Sequence, residues 1–352
     1  MSCTKCQVVP IIPKKGGEVI FSCDVPELCT KISLILDQQR INYVREDFYT
    51  LIASTECFES FLEHLCRFAT LNKLERQGIR CLFLEHSQPL TPSILREMRT
   101  LQQYKDLMGA NELSLLISKG AITTHFQPIV DLVYGEIYGY ESLARGVNDD
   151  GSLIYPDKLF NWAKQGDMLF YLDRACRETS LKTAAVKNIK NKVFINFIPT
   201  AIYDPEHCLQ STVKWARQLE FDPKNIIFEV TETEKVEDVE HLSKILTFYK
   251  SQGFMVALDD VGSGYSSLNM IARLKPNIVK IDREIIDGID TNTVNQSVFK
   301  AIVSLAKESG IIVLAEGAER AEEVAYCAAN GADLAQGYYF GKPSPEPVRK
   351  LG

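Results

Sequence analysis

Apolar segments that each close on a single polar residue recur through the last two thirds of this chain, and this repeat constrains the fold more than any other feature. Read in order, the closing residues are Glu141, Asn196, Glu229, Asp259, Lys280, Glu316 and Gln336. Between them lie segments of helical period, such as 238–250 and 298–309, closed by Gly253 and Gly310. Strands alternating with helices predict a parallel sheet, and about eight such units predict an α/β chain closed into a barrel. In such a barrel the polar strand ends converge on one face.

The run LDDVGSGYSS at 258–267 is the densest part of the pattern. Val256, Ala257 and Leu258 call for burial, whereas Asp259 and Asp260 call for water, cations or donors, which places the pair at a strand's carboxyl end. Any one such acid has a plain alternative as a helix cap or salt-bridge partner. Four carboxylates, two amides and a lysine in sequence exceed what capping explains. Hard oxygen donors of this kind suit Mg2+ or Mn2+, and none of the five histidines has a zinc-ligand spacing.

These segments resemble the EAL-domain phosphodiesterases, which hydrolyse the bacterial messenger cyclic di-GMP. The likeness begins at FQPIV (126–130) and runs through ESLAR, FIN, FEVTE, DDVGSGYSSL, VKID and AEGAE to QGYYFGKP (336–343). It implies a modified (β/α)8 TIM-like barrel whose open end holds two divalent metals, Mg2+ or Mn2+. Glu141, Asn196, Glu229 and Asp259 are similar to the ligands of one metal, and Asp259 would be shared with a second beside Asp260. Glu316 and Glu319 match acidic positions near the metal-bound waters. Lys280 matches a lysine on the attacking water and Gln336 a glutamine near it, so the resemblance implies Glu141, Lys280, Glu316, Glu319 and Gln336 as catalytic. Gln127, Leu143, Arg145 and Asp173 are implied as substrate contacts, with Arg145 on a phosphate. Glu232 and Ser263 are implied to steady the loop after Asp260.

The substrate explains the collection. A phosphodiester repels hydroxide, and paired metals can lower a water's pKa and neutralise the leaving oxygen. Arg145 suits a phosphate because its planar fork donates two hydrogen bonds, although a surface arginine is the commoner occurrence. Lys280 has a second reading, as a purely structural partner among the acids. Three positions depart from the family pattern: Ser142 stands where alanine is usual, Val261 for phenylalanine and Ser263 for threonine. On a strand Ser142 points away from Glu141, so ligation survives. The loss of an aromatic anchor at Val261 predicts a looser loop around Asp260. The implied activity is hydrolysis to linear pGpG, and the other reading is a silent cyclic di-GMP receptor that signals through a protein partner.

With 352 residues the chain has room for a barrel over 111–352 preceded by a small α/β domain over 1–110, read as regulatory and ending in a linking helix. Strands are predicted near 18–23, 43–53 and 79–84, and helices over 27–39, 58–68 and 91–107. The first 110 residues carry 13 basic and 13 acidic residues, so the whole net charge of −7 falls on the barrel. No basic patch argues for a nucleic-acid polymer. Seven of the ten cysteines lie in the first region. Cys3 and Cys6 have a CxxC spacing, which leaves zinc or redox sensing open beside plain free thiols. No run of about 18 apolar residues predicts membrane insertion, and the absence of an apolar leader predicts a cytoplasmic protein. The resemblance implies a homodimer through the barrel.

Overall fold

The computed structural model describes residues 12–68, 71–86, 88–166, 168–231, 239–262 and 267–351. They group into two compact units, one of residues 1–115 with 161–168 and one of 116–160 with 169–352. Cys3, Cys6, Glu232 and Ser263 lie outside the described residues.

The first unit is a five-stranded antiparallel sheet in the order Tyr43–Arg45, Thr50–Thr55, Gly17–Cys23, Ile79–Glu85, Arg99–Thr100. Helices Pro26–Gln38 and Phe58–Phe68 separate the first and third strands in chain order, Gly17–Cys23 and Thr50–Thr55, from those that follow them, a βαββαβ order of the ferredoxin-like kind. Gly17–Cys23 alternates strictly, with Val19, Phe21 and Cys23 inward, and Leu28, Cys29, Ile32 and Leu36 form the matching stripe of the first helix. Phe58 stacks on Phe83 at 4.6 Å. Two expectations are corrected here. The single strand predicted near 43–53 is a hairpin, Tyr43 pairing with Ala53, because Asp47 accepts from the Tyr49 amide at 2.7 Å and turns the chain. The helix predicted over 91–107 is two, Pro92–Leu95 and Leu101–Ser118, divided by the strand Arg99–Thr100, which pairs with Arg80 and Cys81.

The second unit is the predicted modified barrel. Among the described residues the ring is made of β1 (Ile122–Asp131), β2 (Ile137–Val147), β3 (Lys192–Asn196), β4 (Ile226–Thr231), β5 (Met255–Val261), β6 (Ile278–Ile281), β7 (Ile312–Glu316) and β8 (Leu334–Gln336), with the short strand Leu153–Ile154 added at the edge of β2. Strands β2 to β8 pair in parallel in that order. β1 closes the ring by pairing antiparallel to both β2 and β8, which is the modification. Burial on both sides makes the central strands largely apolar, as in Ile278–Ile281, which is wholly buried and apolar except for Lys280.

The barrel interior is filled in layers. One apolar layer consists of Ile129, Phe194, Ile227, Ala257, Ile278, Leu314 and Leu334, one residue from each of seven strands. Side chains on a strand return to the same face every second residue. Two positions further along the parallel strands stand Asn196, Glu229, Asp259, Lys280, Glu316 and Gln336, and two back along the reversed β1 stands Gln127. Glu141 joins them as the register partner of Gln127. The polar residues are therefore one layer of the same stack, resting on an apolar floor.

Candidate active site

Lys280 stands at the centre of the polar layer and is fully buried. Its Nζ lies 3.0 Å from Asp259 Oδ2, 3.1 Å from Glu229 Oε1, 3.3 Å from Glu316 Oε2 and 3.6 Å from Glu141 Oε2. Burial disfavours the ammonium, but the four carboxylates outweigh it and hold Lys280 well above the ordinary lysine range. One cation does not neutralise four acids. Burial, and then the neighbouring carboxylates against the opposing pull of Lys280, push Glu229 and Glu316 well above the usual carboxylate range.

Amides complete the ring. Asn196 Nδ2 donates to Glu141 Oε1 at 2.9 Å, and Gln336 Nε2 donates to Glu141 Oε2 at 2.6 Å and to Gln127 Oε1 at 3.1 Å. Glu141 is thereby held on both oxygens.

Asp260 reaches the site by a different route. Successive strand residues face opposite ways, so Asp259 and Asp260 cannot both point inward from a regular strand. The β5–β6 register gains one residue between Leu258 and Val261, a bulge, and Asp260 adopts a left-handed φ of 54°. Its amide donates to Asp259 Oδ1 at 2.9 Å. Burial, Asp259 and Asp282 raise the Asp260 carboxyl to about 6. Asp282, which also caps the helix Arg283–Ile286, had no assigned part in the sequence reading. Val261, the predicted weak anchor, is fully buried and pairs with Ile281.

The acids form two sets able to hold a cation: Glu141, Glu229 and Asp259, and Asp259, Asp260 and Glu316, with ligand atoms of each set within 4.8 Å of one another. Both Glu229 oxygens and Glu316 Oε2 are buried without a hydrogen-bond donor, although Lys280 lies close by. Undonated buried carboxylate oxygens in an all-oxygen donor set fit a hard divalent ion. Neither set contains the histidine or cysteine that zinc sites ordinarily use.

The remaining predicted residues are not all in this ring. Glu319 pairs with Arg283 at 2.9 Å and is largely exposed. Asp173 is buried with both oxygens engaged, Oδ1 by the Ile198 amide at 2.8 Å and Oδ2 by Arg177 Nε at 2.9 Å. It lines, with Leu143, Ala144, Phe160, Asn196 and Phe197, a cavity of about 240 Å³. Ser142 faces away from Glu141, as expected, but its hydroxyl bonds those of Thr124 (2.5 Å) and Ser180 (2.7 Å). That buried chain was invisible in the sequence, because Thr124 and Ser180 stand 18 and 38 residues from Ser142.

A family model described as the EAL domain matches residues 110–343, well over half of the chain. The chain belongs to the EAL-domain family. Among curated relatives, the cyclic di-GMP phosphodiesterase NbdA of Pseudomonas aeruginosa is 29% identical over 251 residues, covering 68% of this chain and 31% of that protein. PdeR of Escherichia coli, also a cyclic di-GMP phosphodiesterase, is 30% identical over 227 residues, covering 64% and 34%. The chain thus spans about a third of the length of these relatives. A solved standalone EAL protein from Vibrio cholerae O395, in its c-di-GMP bound form, is 40% identical with a TM-score of 0.60, covering 66% of this chain and 95% of that one. No helix among the described residues is long and apolar enough to cross a membrane.

Proposed function

We propose that this EAL protein hydrolyses cyclic di-GMP to linear pGpG with the aid of two divalent ions, Mg2+ or Mn2+. The observation that carries the reading is the excess of buried carboxylate around Lys280, with undonated oxygens on Glu229 and Glu316. An all-protein core gains nothing from such an excess. The two acid sets sharing Asp259 support one ion held by Glu141, Glu229 and Asp259 with Asn196, and another held by Asp259, Asp260 and Glu316. Bound there, the ions would supply an activated water and charge neutralisation at the leaving oxygen.

The chain's own residues do the rest. Gln336 and Asn196 hold Glu141 by both oxygens, so that ligand is oriented before any ion arrives. Lys280 offsets part of the acid repulsion and offers ammonium protons to a water or phosphate oxygen at the centre of the ring. Arg145 supplies a guanidinium for a phosphate, and Gln127, Leu143 and Asp173 border the substrate, Asp173 by bracing the Ile198 backbone. The first unit is read as the regulatory part of the chain.

The test is to incubate the purified chain with cyclic di-GMP and Mg2+ or Mn2+ and separate the products, with Glu141→Ala alongside. pGpG that disappears in the variant is the expected result. Binding of cyclic di-GMP without product under either metal would overturn hydrolysis and make the chain a receptor.

A further inference from the structure

Among the described residues Arg145 is a buried cation without an ion-pair partner. The residue is 7% exposed, and among the described residues no carboxylate lies within ion-pairing distance of it. Buried charges are ordinarily paired. In place of a partner, Nη1 donates to the Ala144 carbonyl at 2.8 Å, and the guanidinium carbon lies 5.2 Å from the centroid of the Tyr155 ring. Burial lowers the Arg145 pKa, and Tyr155 and Glu141 oppose that pull.

Tyr155 is firmly mounted. The short strand Leu153–Ile154 pairs with the end of β2, Ile154 opposite Gly146, so the chain returns past Arg145 immediately before Tyr155. The Tyr155 carbonyl then accepts from the Lys158 and Leu159 amides as the next helix begins. Tyr155 as a whole remains 59% exposed.

We propose that Tyr155 is a positioning residue for substrate binding, holding the Arg145 guanidinium in place for a substrate phosphate. The inference rests on the cyclic di-GMP reading above and adds to it a residue that no motif marks. The chemistry favours an aromatic ring in this place. A carboxylate would fix Arg145 equally well but would cancel its charge and compete with the phosphate. A ring face attracts the cation through its quadrupole and leaves the charge whole. An arginine already held also loses less side-chain freedom when the phosphate arrives.

The experiment uses the full chain with Tyr155→Ala, Tyr155→Phe, Arg145→Ala and the Tyr155→Ala/Arg145→Ala double variant. Steady-state kinetics with cyclic di-GMP and Mn2+ are paired with calorimetric binding of cyclic di-GMP in chelator, where nothing turns over. Tyr155→Ala is expected to raise KM and Kd about 5- to 10-fold with kcat within about twofold, while Tyr155→Phe, which keeps the ring face, stays within about twofold of the parent. In the Arg145→Ala background the Tyr155 substitution should change Kd less than about twofold, since the ring then has no cation to hold. Unchanged KM and Kd in Tyr155→Ala, or a full effect that persists without Arg145, would overturn the proposal alone. A parent protein that neither binds nor hydrolyses cyclic di-GMP would overturn the functional reading with it.

Discussion

Two buried cations in the barrel make an instructive pair. Arg177 and Lys280 are both wholly inaccessible. Arg177 faces one carboxylate, Asp173, through Nε at 2.9 Å and Nη2 at 2.8 Å, and its remaining nitrogen donates to the Thr212 hydroxyl. Charge there is balanced one to one. Lys280 faces four carboxylates at 3.0 to 3.6 Å, and two of them retain oxygens with no donor. A balanced buried pair offsets its own desolvation and holds elements together; an unbalanced one stores repulsion that a further cation would relieve. The difference separates a fastening from a binding site better than burial does, since burial is the same in both.

The sharpest way to break this contrast is to neutralise one acid at each cation. Glu229→Gln should abolish pGpG formation to background and, with chelator present, raise metal-free stability by about 0.5–2 kcal/mol because a repulsive charge is gone. Thermal melts with chelator and with Mn2+ check both halves: the parent should be stabilised by Mn2+, and the variant by less, since only the Asp259, Asp260 and Glu316 set is left whole. A parent whose melting is indifferent to both divalent ions would remove the distinction. Lys280→Met should follow, lowering kcat on the order of 10²–10³-fold while leaving a Mn2+-dependent melt, since the acids remain.

Asp173→Ala tests the balanced side. It leaves a lone buried guanidinium and should cost about 3–5 kcal/mol in denaturant unfolding, with no change in the Mn2+ response. A loss no larger than that of a surface substitution would mean the pair is no fastening. The smallest effect is expected at Ser142→Ala, which takes one partner from the Thr124 and Ser180 hydroxyls and should cost about 1–2 kcal/mol with kcat within about twofold.

Much of the site was legible because a barrel writes it at fixed strand positions. Asn196, Glu229, Asp259, Lys280, Glu316 and Gln336 each end an apolar run, and parallel strands bring run ends together whatever their sequence separation. Residues outside that rule were harder to place. Glu319 lies past the end of β7, where the turn directs it to Arg283. Asp173 lies on a helix, and nothing in its neighbourhood announces that Ile198 and Arg177 occupy it. In the first unit, the strands Gly17–Cys23 and Ile79–Glu85 were legible, but neither the Asp47 turn that splits a further one into a hairpin nor the short strand Arg99–Thr100 was.

The sequence by itself determined the barrel and its polar layer, because the alternation of strand and helix and the two-residue spacing above Ile227, Ala257, Ile278 and Leu314 are local properties of the chain. Tertiary structure alone decided how Asp260 joins that layer. Adjacent strand residues face opposite ways, and only the register against β6 inserts the extra residue that, with a left-handed backbone at Asp260, brings the second aspartate to Asp259 and Glu316.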